Sequence, residues 1–172
     1  MLGKDDLVAT MSLECDILKH LFTKLPREDW QSTLDWRPTP DQRSTLELLR
    51  YLSYCGIGAC LAYCGLGTRD DWKRLSQQAE AMSADDFPEA MERQKREIVE
   101  LFERLTDEDL STRKAKNPRG QEMTLGRAVL DMPIRWLVGY RMQLFLYARQ
   151  IGADVWTPDC WGGVSMARPG GR

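Results

Sequence analysis

The chain has one histidine, His20, among its 172 residues. A lone imidazole cannot build the usual multi-histidine zinc site. Positive charge is not in excess either. The 24 lysines and arginines against 26 acidic residues leave a net charge of −2, so no overall basic footprint for nucleic acid is present. No stretch approaches the roughly 20 apolar residues of a membrane span. The first residues, MLGKDD, place acids where a signal peptide needs a basic flank and an apolar run. The five cysteines are odd in number and form no spaced disulfide framework, which fits a reducing compartment. Repeats and low-complexity tracts are absent. These absences lead to the expectation of a cytoplasmic protein with neither nucleic acid nor membrane as partner, and no cofactor is implied.

What is present is helical periodicity. Thr124 to Gly152 reads as one long helix, with Leu125, Val129, Met132, Trp136, Tyr140, Gln143, Tyr147 and Ile151 recurring on one face. Pro133 removes a backbone donor inside it and predicts a kink. A first helix is expected from about Asp5, with Asp5 or Asp6 as its cap, to Lys24, with Pro26 ending it. A second runs from Ser44, where Ser44-Thr45-Leu46-Glu47 is a capping box, to about Tyr63. A third spans about Pro88 to Leu105. A shorter helix is expected near Trp72 to Met82. The rest reads as loop, including Asn117-Pro118-Arg119-Gly120, with no convincing strand. Trp30 and Trp36 are expected to plug one end of the molecule. Residues 153–172 read as an irregular tail that packs Trp156 and Trp161 on the helices and frays after Met166. Four long helices predict one all-α four-helix bundle domain over residues 1–172.

Several groups could carry chemistry. His20 lies one turn after Asp16, so an Asp–His pair is one reading and a structural histidine the other. Cys60 and Cys64 share a helix face near Cys55. They read either as a redox or soft-metal site or as small apolar residues in a helix crowded with Gly56, Gly58, Ala59 and Ala62. Asp131 and Arg135 are expected to form an exposed pair one turn apart. Arg113, Lys114, Lys116 and Arg119 read as a solvated connection. Glu47, Tyr51, Tyr54 and Cys55 share a sector of the second helix and are expected to face Trp136, Tyr140 and Gln143. That set is either an aromatic-walled pocket for a small molecule or a packed core.

Three stretches carry a family resemblance. They are Trp36-Arg37-Pro38-Thr39-Pro40 followed by Arg43-Ser44-Thr45-Leu46-Glu47, then Tyr140-Arg141-Met142-Gln143-Leu144 followed by Arg149 and Gly152, and Asp159-Cys160-Trp161-Gly162-Gly163. In this order they resemble the DinB/YfiT-like superfamily of four-helix bundle proteins. The resemblance implies a homodimer and metal-dependent hydrolase or thiol-transferase relatives. Metal-binding members use one histidine on the second helix and a His-x-x-x-His pair on the last. The matching positions here are Tyr51, Trp136 and Tyr140, and none is a histidine. The resemblance therefore implies a relative without the metal site, acting as a small-molecule-binding or interaction protein. The alternative is a metal- or thiol-dependent transferase or hydrolase with a non-histidine site, drawing on Glu47, His20 or a cysteine.

Overall fold

The computed structural model describes residues 3–169; the last residues of the tail expected to fray, 170–172, lie outside the described residues. Four helical rods pack around one apolar core: α1 (Lys4–Thr23), α3 (Thr45–Leu52) continued by α4 (Cys55–Tyr63), α6 (Phe87–Glu103), and α8 (Leu125–Val129) continued by α9 (Arg135–Gln150). α1 lies between α6 and α9, and the α3–α4 rod closes the ring by touching both. Their facing stripes, among them Met11, Leu18, Leu48, Leu52, Met91, Ile98, Leu137 and Leu144, are fully buried. Shorter helices decorate the rods: α2 (Trp30–Asp35), α5 (Arg69–Glu80), α7 (Asp107–Thr112) and α10 (Thr157–Gly162). No described helix is long and apolar enough to cross a membrane.

Local signals set the helix starts. At α3 the Ser44 hydroxyl accepts from Glu47 N–H at 3.2 Å, and Ser44 N–H donates to the Glu47 carboxylate at 2.6 Å. Thr68 with Asp71 and Thr106 with Asp109 open α5 and α7 in the same way. α1 starts differently from expectation. Its cap is Gly3, whose N–H donates to Asp6 at 2.8 Å, while Lys4 N–H donates to Asp107.

Both halves of the bundle that face each other are interrupted. The second rod, expected as one helix, breaks at Tyr54, whose φ of −139° and ψ of −10° are not helical. A buried side chain from α6 repairs the break. Gln94 Oε1 accepts from Gly56 N–H (2.8 Å) and Ile57 N–H (3.2 Å), and Gln94 Nε2 donates to Leu52 C=O at 3.0 Å. The fourth rod is continuous but widens into a π-helical turn over Leu130–Ile134, at Pro133. The missing proline N–H and its ring are accommodated by the extra residue in that turn. Arg127 and Arg135 both reach Asp131 across it, at 2.6 and 2.8 Å.

Three expected loops have structure. Residues between Pro26 and Ser44 that read as loop form α2, capped by Asp29, which accepts from Ser32 N–H. Lys114–Lys116 (β1) and Glu122–Thr124 (β2) form an antiparallel hairpin, with Ala115 opposite Met123. Asn117 holds its tip: its amide oxygen accepts from Arg119 and Gln121 N–H, both at 3.0 Å. The tail expected to be irregular contains α10, whose Asp159 carboxylate accepts from Trp156 N–H at 3.0 Å. Trp156 is half-buried, whereas Trp161, expected to pack, is 57% exposed. Trp30 stands edge-on to Phe22 and Trp36 edge-on to Tyr147, which covers that end of the bundle.

Candidate functional site

The three positions that the resemblance set against metal ligands, Tyr51, Trp136 and Tyr140, fall in one ring cluster. Tyr51 on α3 and Tyr140 on α9 meet with ring centroids 4.6 Å apart and planes tilted by 59°. Trp136, one turn before Tyr140, is not in ring contact with Tyr51. Trp72 of α5 fills the interval, at 6.1 Å from Tyr51 and 5.9 Å from Trp136. Tyr54 (5.1 Å) and Tyr63 (5.6 Å) stand edge-on to the same indole, and Tyr63 meets Trp136 at 5.2 Å. Six rings thus form one cluster with Trp72 at its centre. Edge-to-face geometry of this kind contributes about 0.5–1.5 kcal/mol per pair beyond burial.

Glycine makes this possible. A Cβ on Gly58 would lie 2.9 Å from the Trp72 ring, and one on Gly56 would lie 3.0 Å from Leu137 and 3.1 Å from Gln94. The small residues of α4 therefore admit an indole and a buried amide to the backbone.

Charge enters from one side. The Arg43 guanidinium lies 4.2 Å from the Tyr51 ring centroid and 5.7 Å from that of Tyr140, a cation–π placement. Burial, aided by Cys55 and Tyr140, pushes the Tyr51 phenol well above its ordinary value, with Arg43 pulling the other way. Burial likewise raises Tyr54. Outside the rings, Arg43, Glu47, Arg50, Tyr51, Tyr54 and Glu80 line a shallow groove of about 260 Å³.

Of the other expected site residues, Glu47 belongs to that groove's lining, and Cys55 and Gln143 do not. Cys55 is fully buried under it. Gln143 donates to the Tyr147 hydroxyl at 2.8 Å, which in turn donates to the Arg43 carbonyl. Glu47 lends one carboxylate oxygen to the α3 cap and stands 3.3 Å from Arg37.

A divalent metal does not fit the positions of Tyr51, Trp136 and Tyr140. Two phenols and an indole that only donates offer no ligand set. Among the described residues no group of three or more His, Cys, Asp or Glu is placed to hold a metal ion. All five thiols are free and buried. Burial pushes Cys15 and Cys64 up to about 12, and Cys55 and Cys60 also well up. None is poised as a thiolate nucleophile.

His20 does not pair with Asp16, which instead takes both bonds from Lys95 at 2.7 and 3.0 Å. His20 Nε2 lies 2.7 Å from Asp159 Oδ1 on α10. Burial works to raise the Asp159 carboxyl, but the Trp156 N–H, His20 and Lys24 outweigh it and hold the group below the usual aspartate range. Beside it, buried Arg141 Nε stands 2.6 Å from Glu14 Oε2, and its Nη1 donates to the Cys160 carbonyl. Both devices staple α10 to the rods.

Sequence reasoning missed Trp72, Arg43 and Gln94. A tryptophan recurring with Leu75 and Ala79 on the inner face of a polar helix was a usable signal for Trp72. A buried Gln94 among the charges of α6 left none.

No family model matches the chain, and no curated protein matches it. Among solved structures, the crystal structure of a DinB-like protein, YjoA from Bacillus subtilis, superposes with a TM-score of 0.61 at 18% identity, covering 86% of this chain and 92% of that one. At that identity the likeness carries the fold, and the fold of this chain is an all-α, DinB-like helical bundle.

Proposed function

We propose that this chain is a one-domain, cytoplasmic, DinB-like protein that has lost the three-histidine metal site and binds a small molecule. The observation that carries the reading is the ring cluster that holds Tyr51, Trp136 and Tyr140, with Arg43 laid over two of those rings. The groove beside them offers tyrosine faces for a flat apolar group, Arg43 and Arg50 for an anionic end, and Glu47 and Glu80 for a cationic one. Glu47 and Tyr51 would touch the ligand. Cys55, Trp136, Tyr140 and Gln143 would hold the wall in place. A homodimer is also proposed, supported by exposed Leu13, Trp161, Val164 and Met166.

The alternative, a metal- or thiol-dependent transferase or hydrolase, has less support. The thiols are buried and His20 is committed to Asp159. Native mass spectrometry and elemental analysis of purified protein test the proposal together. A retained or titratable small molecule whose binding is lost in Tyr51→Ala supports it. Stoichiometric zinc or nickel, or the absence of any ligand across a metabolite panel, overturns it.

A further inference from the structure

Two of the four basic residues that read as a solvated connection in the sequence, Lys114 and Lys116, are placed by the hairpin on a second, larger groove. It holds about 520 Å³ between the β1–β2 hairpin and the C-terminal end of α4. That volume falls within the range of about 300–1,000 Å³ typical of small-molecule sites. Tyr63 forms one wall. Its ring is fixed edge-on by Trp72 and Trp136, so it presents a stationary aromatic surface. Arg69 stands at its rim, 5.9 Å from the ring centroid. Lys114 and Lys116, exposed on either side of buried Ala115 on β1, both line the groove.

The charge balance of this groove differs from that of the whole chain. Three cations, Arg69, Lys114 and Lys116, face one carboxylate, Glu122, the cross-strand partner of Lys116. Among the described residues none of the three cations makes an ion pair, a state shared with Arg93, Arg104 and Arg149, and what sets these three apart is that they line one groove. Cations left uncommitted around a walled groove repel one another, and an anion relieves that repulsion. The tip is also preorganised: Asn117 bonds Gln121 through backbone and side chain, which fixes how the lysines are carried. Gly65 and Gly120, at the two lips, have positive φ and open space where a Cβ would stand.

We propose that this groove is a binding site for a phosphorylated small molecule with a planar ring, of the nucleoside monophosphate class. The ring lies against Tyr63, and the phosphate sits among Arg69, Lys114 and Lys116. The site is separate from the groove at Tyr51, with the aromatic cluster between them, and it stands or falls independently of the function proposed above.

Isothermal titration at low salt with AMP, adenosine and inorganic phosphate as probes tests this directly. AMP is expected to bind, with adenosine and phosphate each weaker by about tenfold or more, since each lacks one half of the recognition. Lys114→Ala/Lys116→Ala and Arg69→Ala are each expected to weaken AMP by about tenfold, while Arg96→Ala on α6 leaves it unchanged. All substituted side chains are exposed, so the variants should fold, and circular dichroism checks this. Amide shifts of Gly65 and Gly120 on AMP addition would locate the contact. Adenosine binding as tightly as AMP, no AMP binding, or indifference to the lysine pair overturns the proposal. So does an oligonucleotide whose affinity rises with its length, which would make a nucleic-acid strand the occupant.

Discussion

Two rods of this bundle are interrupted side by side, and the repairs are opposite in kind. At Pro133 the α8–α9 rod absorbs the fault itself, through one π-helical turn. At Tyr54 the α3–α4 rod cannot. It leaves two amides and a carbonyl pointing into the core, and Gln94 from α6 takes all three. The interruption announced by a proline is thus self-contained, and the silent one depends on another helix.

The sharpest way to break this comparison is Gln94→Leu. It keeps the volume but orphans three buried backbone groups, and chemical denaturation should show a loss of about 3–5 kcal/mol. Pro133→Ala should change stability by about 1 kcal/mol or less, because the surrounding turn already satisfies the chain. If the two losses were equal, the asymmetry between the rods would be wrong. The glycines of the two rods extend the contrast. Gly58→Ala meets the Trp72 ring and should cost about 1–3 kcal/mol with a change in tryptophan emission. Gly139→Ala, on α9 with nothing within 4 Å of the new Cβ, should stabilise by about 0.5–1 kcal/mol. Smallest of all, Tyr140→Phe keeps the ring against Tyr51 and should shift the unfolding midpoint by less than about 1 kcal/mol.

The legible parts of this fold are those with local causes. The Ser44–Glu47 box and the proline in the last rod could be read because neighbours in sequence produce them. The apolar face expected from Leu125 to Ile151 holds up to Met132. The π-turn then shifts the register by one, so Leu137, Arg141, Leu144 and Ala148 face the core while Trp136, Tyr140 and Gln143 are half-buried. The break at Tyr54 was not legible, since its remedy is Gln94, 38 residues beyond Gly56. The β1–β2 hairpin escaped because three-residue strands carry no usable alternation, and α10 because six residues carry no helical period. At the candidate site, the meeting of Tyr51 with Tyr140 followed from helix faces. Trp72 came from a separate helix, and its insertion between Tyr51 and Trp136 is a tertiary event.

Gln94 also sets a clock. The amide protons of Gly56 and Ile57 are shared with a side chain of another helix, not with their own. They cannot reach solvent by fraying of α4 alone. Their hydrogen exchange requires α6 and α4 to separate, so these two protons should be among the slowest in the molecule and should report the cooperative opening of the bundle.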